Sequence, residues 1–192
     1  MGKMIISENI SLDGVGQDPT GEEGFPRGGW FSQIAAKDRD AWAMVELDEV
    51  LATTALLLGR RSYEFFAARW PARAGAFADR LNSMPKYVVS STLREPAWNN
   101  STVLTGDAVT EVAKLRHELE GDIVVYASFQ LGRTLMEHDL LDELRLMIYP
   151  VVLGAGQGLF GPASDKKPMR LISAQTVGDG LVLLTYQPVR DA

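Results

Sequence analysis

Short apolar runs of strand length recur along this chain, and most lead directly into a segment with helical spacing. This alternation constrains the fold more than any other feature, because a strand that returns parallel to its predecessor needs a crossover, usually a helix. Lys3–Ile10 reads as a first strand, followed by a long Gly- and Pro-containing loop from Asp13 to Gly29. A helix from about Asp40 sets Ala43, Leu47, Val50 and Thr54 on one face. Leu56-Leu57-Leu58 is a short buried strand closed by Gly59. Ser62 is placed to cap the next helix, with Tyr63, Phe66, Ala67 and Trp70 inside and Pro71 at its end. Phe77, Leu81 and Met84 mark another short helix.

Lys86–Ser90 and Thr102–Leu104 are strands, and Asp107 caps a helix that buries Ala108, Val112, Leu115 and Leu119. Ile123–Tyr126 follows, then a helix with Leu131 and Leu135 inside and His138 as a further candidate. Leu144–Val152 is long enough to cross a sheet. The end of the chain differs: Met169–Val177 and Leu181–Gln187 are joined by Gly178-Asp179-Gly180, a hairpin signal. The count is about eight strands and about four or five helices. The expectation is an α/β fold over residues 1–192 as one domain: a largely parallel sheet with an antiparallel C-terminal edge.

Composition removes several function classes. The 192 residues contain no cysteine, which excludes disulfides, thiolate metal sites and a cysteine nucleophile. The two histidines, His117 and His138, lie far apart in helical segments, so no metal is expected. A net charge of −6 argues against nucleic acid or an anionic membrane as the main partner. No signal-peptide core follows Met1, and no stretch approaches membrane-span length. A soluble, cytoplasmic protein acting on a small molecule is the expectation.

Three strand-to-helix junctions share one chemical theme. At Gly59-Arg60-Arg61-Ser62, free N–H groups and two forked cations suit phosphate oxygens, although an arginine pair is as often plain solvated surface. Val89-Ser90-Ser91-Thr92 offers hydroxyls for a ribose or its phosphate, or only for local turns. Tyr126-Ala127-Ser128-Phe129-Gln130-Leu131 opens a helix whose N–H groups suit a pyrophosphate; a Ser cap alone is usually just a cap. Together the three fit a ligand with phosphates in more than one place. Ser11-Leu12-Asp13-Gly14 sets a carboxylate at the same sheet edge. Gly154, Gly156, Gly158 and Gly161 form a glycine-rich loop that lacks the Rossmann spacing.

These segments, with Lys86-Tyr87-Val88-Val89-Ser90-Ser91, Leu140-Leu141-Asp142-Glu143-Leu144-Arg145-Leu146 and Pro150-Val151-Val152-Leu153-Gly154-Ala155-Gly156, resemble the dihydrofolate-reductase-like superfamily. The branch resembled is that of the reductase domain of bacterial riboflavin biosynthesis. The resemblance implies a three-layer fold whose eight-stranded sheet has a reversed last strand and binds NADPH. It implies that Gly59, Arg60, Arg61 and Ser62 contact phosphates, including that on the adenosine ribose. Ser90 and Ser91 would lie at the adenosine end, and Ala127, Ser128, Phe129, Gln130 and Leu131 at the pyrophosphate. The nicotinamide would lie near Ile10 to Asp13. Asp142 and Glu143 look like family hallmarks with a structural role. Two departures stand out. Ala127-Ser128 replaces the paired glycines common in the superfamily, and the carboxylate that dihydrofolate reductase takes from a helix has three competing counterparts, Asp40, Glu46 and Asp48.

The expected activity is therefore NADPH-dependent reduction of a C=N or C=O bond in a small heterocyclic or sugar-linked substrate. Dihydrofolate reduction and non-catalytic NADPH binding are the alternatives. Asp13 is the candidate proton donor or substrate-orienting acceptor, with Ser11 beside it. Trp30 is a candidate stacking surface for the substrate, or else a piece of core that folds the loop down. Surplus apolar positions on Leu144–Val152 and the C-terminal hairpin, with an uncovered edge, suggest a homodimer.

Overall fold

The computed structural model describes residues 1–161 and 166–190. One sheet of eight strands runs through them in the order β4-β3-β2-β5-β1-β6-β8-β7. The strands are β1 (Lys3–Ser11), β2 (Thr53–Gly59), β3 (Lys86–Val89), β4 (Ser101–Leu104), β5 (Asp122–Val125), β6 (Glu143–Tyr149), β7 (Met169–Val177) and β8 (Leu181–Pro188). The five helices are α1 (Ala36–Ala52), α2 (Arg60–Ala67), α3 (Ala76–Ser83), α4 (Ala108–Glu118) and α5 (Phe129–Glu137). β1 to β6 are parallel, and β8 runs antiparallel to both β6 and β7. The sheet is thus the expected mixed α/β one with a reversed last strand.

β1 lies between β5 and β6 and pairs in register with both. Side chains in a strand alternate between faces, so this pairing sorts β1 into two sets. Met4, Ile6 and Ile10 join the core beneath α4 and α5. Ile5 faces the other way, into the core with Val50 of α1 and Tyr63 of α2. A third cluster, with Trp30, Met147 and Tyr149, seats the long first loop and α1 on the β6–β8 side.

Several boundaries differ from expectation for local reasons. α1 begins at Ala36 and stops where the Thr53 hydroxyl donates to Glu49 O at 2.8 Å. Thr54 therefore belongs to β2, and Ala43 faces solvent, because Trp42, Val45, Leu47 and Val50 take the inner face. Trp70 lies beyond α2 in a separate 3₁₀ turn. β6 stops at Tyr149, since Pro150 has no N–H to continue the ladder. His138 is exposed at the end of α5. Asp107 does cap α4, accepting from Thr110 N at 2.9 Å.

The start of β3 carries an unusual buried cation. Lys86 is fully enclosed and donates to the carbonyl oxygens of Asn82, Met84 and Asn99. Its ammonium also lies 4.5 Å from the centre of the Trp98 ring. Three carbonyl dipoles and an aromatic face replace water, so this cation joins α3 to the chain leading into β4. Lys86→Met should lower stability by roughly 2–4 kcal/mol, because the carbonyls keep their burial and lose their donor. In thermal melting this appears as a fall of about 5–15 °C; an unchanged melting temperature would show that water or backbone shifts satisfy these oxygens.

Candidate functional site

The carboxyl ends of β2 and β5 are stitched together by two serines. Gly59 N–H donates to Ser128 Oγ at 3.0 Å, Ser128 Oγ donates to Tyr126 O at 2.9 Å, and Ser62 Oγ donates to Ala127 O at 2.7 Å. Neither serine caps its helix, contrary to expectation: each is buried and used to hold two turns in register. Gly59 has an ordinary negative φ, and a Cβ there would meet Ser128 only at ordinary contact distance, so the fold itself does not demand glycine. Ala127 adopts φ 50°, a left-handed conformation that costs a residue with a Cβ roughly 1–2 kcal/mol. Ala127 and Gln130 are exposed, Phe129 is half-buried, and Leu131 is core, so only its backbone is available to a ligand.

Arg60 and Arg61 stand in solvent at the start of α2. Arg60 lies 3.6 Å from Glu64, and Arg61 makes no ion pair among the described residues. On the adjoining strand end, Ser90 is buried and its Oγ accepts from Thr92 N and Leu93 N, while Ser91 is exposed. Ser90 thus shapes the turn, and Ser91 presents its hydroxyl. Exposed cationic forks next to helix N–H groups are a chemical match for the phosphates of a dinucleotide.

Beyond β1, two loops are fastened to each other. The Asp13 carboxylate accepts from Ser11 Oγ at 2.6 Å, Leu153 N at 3.0 Å and Gly154 N at 2.6 Å. The Ser11 hydroxyl first, then these two N–H groups, hold the Asp13 carboxyl down to about 2. Asp13 is therefore an anion at neutral pH, which argues against proton donation. The glycine-rich loop serves the same junction: a Cβ on Gly158 would stand 2.1 Å from Gly14 O, and one on Gly156 2.5 Å from Val15. Trp30 corrects an expectation. Its ring is enclosed, packs edge-on against Phe31 and Tyr149, and donates from Nε1 to Gln17 O. It folds the loop down instead of offering a face to a substrate.

A polar layer lies between α1 and the sheet. Its floor follows from register: Ser7, Asn9 and Ser11 of β1 are opposite Arg145, Met147 and Tyr149 of β6. Its wall is α1. Glu46 is half-buried and makes no hydrogen bond or ion pair among the described residues. Burial, reinforced by Glu49, pushes its carboxyl up to about 7. Burial and the Glu46 charge also raise the Tyr149 hydroxyl. Glu49 itself is engaged, accepting from Tyr126 Oη at 2.8 Å and Arg145 at 2.9 Å. Of the three carboxyls that competed in the sequence, Asp40 and Asp48 are exposed, so Glu46 is the one that the fold turns inward. Asn9 Oδ1 is buried without a partner. Glu8, Asn9, Glu49, Tyr126 and Tyr149 had not been singled out. The available signal for the first two was the polar run Ser7-Glu8-Asn9 between the apolar residues Met4–Ile6 and Ile10 of the central strand.

The model of the RibD C-terminal domain family matches residues 3–183. Uncharacterized protein YyaP of Bacillus subtilis (strain 168) is 29% identical over 136 residues, covering 68% of this chain and 72% of that protein. A protein attributed to riboflavin biosynthesis from Shewanella sp. PV-4 has a similar structure, with a TM-score of 0.77, 21% identity, and coverage of 99% of this chain and 100% of that one. A Thermotoga maritima diaminohydroxyphosphoribosylaminopyrimidine deaminase/5-amino-6-(5-phosphoribosylamino)uracil reductase matches with a TM-score of 0.63 and 12% identity. That match covers 98% of this chain and 57% of the Thermotoga chain. At these identities the solved structures speak to fold, which is the dihydrofolate-reductase-like arrangement that the motifs implied. The match over nearly the whole length settles the family: this chain belongs to the RibD C-terminal domain family.

Proposed function

We propose that this chain is an NADPH-dependent reductase that transfers hydride to a C=N or C=O carbon of a small heterocyclic or sugar-linked substrate, similar to the pyrimidine reductase of riboflavin biosynthesis. The observation that carries the reading is the exposed pair Arg60 and Arg61 at the start of α2, on the same sheet toward which the half-buried carboxyl of Glu46 is turned. When bound, the dihydronicotinamide supplies the hydride. The chain's own part is to bind, orient and protonate. Arg60, Arg61 and Ser91 hold the ribose phosphate, and the Ala127–Leu131 backbone receives the diphosphate. Asp13, fixed as an anion, keeps the loops bordering the end of β1 closed and orients a donor group of the substrate. Glu46 holds a proton at its carboxyl for the heteroatom next to the reduced carbon. Asn9, whose buried Oδ1 has no partner, supplies a further polar contact.

Glu46 favours one second reading, dihydrofolate reduction, because it provides the helix-borne carboxylate for which three residues competed in the sequence. Absorbance assays of NADPH consumption with dihydrofolate and with amino-substituted pyrimidines separate the two, and no consumption with any acceptor would point to a non-catalytic binder. We also assign a homodimer. β7 is an edge strand with Leu171 and Ile172 exposed, and an unpaired edge is a template for a second copy. We also assign a cytoplasmic site of action; no helix among the described residues is long and apolar enough to cross a membrane.

Three outcomes test this reading. NADPH should bind more tightly than NADH by roughly tenfold to hundredfold, since a charge-assisted contact to phosphate contributes on the order of 1.5–3 kcal/mol. In calorimetric titration, the double replacement Arg60→Ala, Arg61→Ala should erode that preference by weakening NADPH chiefly, and equal wild-type affinity for the two cofactors would refute the phosphate site. The rate should be flat below about pH 7 and fall above it, because the protonated form of Glu46 is the active one. Glu46→Gln should lower kcat and abolish that inflection, whereas Asp13→Asn should lower kcat, spare NADPH affinity and leave the inflection in place. An inflection that survives in Glu46→Gln would remove Glu46 as the acid. Finally, light scattering at micromolar concentration should give twice the 21.0 kDa chain mass, and a monomer mass would end the dimer assignment.

A further inference from the structure

The opposite face of β1 holds a second carboxyl that the mechanism above does not use. Glu8 is 6% exposed, and its Oε1 has no hydrogen-bond partner. Register puts it opposite Leu146 of β6, and its carboxyl lies against the Ala127 and Ser128 backbone N–H groups at the start of α5. A helix N-terminus attracts anions, and here the nearest acid is part of the chain. No charged side chain among the described residues faces it from the packed elements. β5 presents Val125, and α5 presents Leu131 and Leu135. Arg133 of α5 is committed to the Gly158 and Leu159 carbonyl oxygens. On β6, Arg145 belongs to the opposite face with Glu49 and Glu143, while Arg60 and Arg61 of α2 are out in solvent.

We propose that Glu8 is a positioning residue of the diphosphate site, filling the inner side of the Ala127–Ser128 turn and admitting the cofactor's diphosphate to α5 only while it holds its own proton. This rests on the NADPH reading above. A neutral carboxyl supports the turn without net charge, whereas an ionised one repels the incoming phosphates and competes for the same N–H groups. Burial pushes the Glu8 carboxyl up to about 8, with the two N–H groups opposing that rise. Glu8 is thus mostly protonated at neutral pH. Above that range, cofactor binding must take up one proton.

Calorimetry of NADPH binding from about pH 7 to about pH 9.5, in buffers of different ionisation enthalpy, tests this on the wild-type chain. The expected result is an affinity loss approaching tenfold per pH unit above about 8, with proton uptake on binding. Glu8→Gln keeps the shape, cannot ionise, and should bind with a flat profile. Adenosine 2′-monophosphate, which has no diphosphate, should show a flat profile with both proteins. Melting without cofactor supplies a second readout. A folded-state pKa above the unfolded one means that the folded chain holds more protons between about 4.5 and about 8, so wild-type stability falls relative to Glu8→Gln across that window. NADPH binding with the same pH slope in both proteins would overturn the role of Glu8 and leave the cofactor reading standing. No NADPH binding at pH 7 would overturn both.

Discussion

β1 has parallel partners on both sides, and its pairing with β6 alone runs in unbroken register from Ile5 to Ser11. A slip of one residue would exchange its two faces, placing Glu8 with the α1 layer and Ile5 with the α5 core. The site depends on that register. Even positions bring one carboxyl beneath the N–H groups of α5, and odd positions bring Ser7, Asn9 and Ser11 to the floor below Glu46. The two carboxyls with raised pKa values therefore stand on opposite sides of one strand. Desolvation is the first cause for each, because the same sheet shields both.

The end of that strand is made rigid by a different device. Asp13 joins the loop after β1 to the loop after β6, and the glycines of the second loop let the two backbones approach where a Cβ would collide. An anion held by three donors cannot also deliver a proton near neutrality. In the proposed reading the acid function falls instead to Glu46, which has no donor to stabilise its charge. Environment separates two carboxyls of similar intrinsic strength, holding Asp13 as an anion and favouring the neutral form of Glu46.

Much of the fold was legible in the sequence because periodicity and punctuation report on it directly. Apolar runs closed by glycine, the Asp107 cap and the Gly178–Gly180 turn each placed an element. The errors arose where tertiary contacts outweighed local signals. Ser62 and Ser128 look like caps, but each has a stronger use in fastening β2 to β5. Trp30 looks like a stacking surface, but Tyr149 and Phe31 enclose it. Helical spacing alone could not choose among Asp40, Glu46 and Asp48, since the rotation of α1 is fixed by Trp42, Val45 and Val50 packing on the sheet. Glu8 was passed over because strand patterns are read through their apolar members, and its surroundings come from residues more than a hundred positions away.

The charge pattern bears on how such a site recognises its ligand. The chain carries a net charge of −6, so the far field disfavours an anionic dinucleotide. Attraction has to be local, and the described residues provide it at one end only, where Arg60 and Arg61 meet helix N–H groups. Around Glu46 the only charge that shifts its pKa appreciably is that of Glu49, and no cation offsets it. Exposed cations thus stand at the start of α2, while beneath α1 the Arg145 cation is taken up by Glu49 and Glu143 and leaves Glu46 without a partner. In the proposed reading, an elongated ligand with phosphate at one end and a reducible, proton-accepting ring at the other spans these two parts. Salt acts on the two parts unequally: screening reaches the exposed arginines first, while the half-buried carboxyl lies largely beyond it. Orientation of the ligand should therefore weaken with ionic strength before the acidity of Glu46 changes.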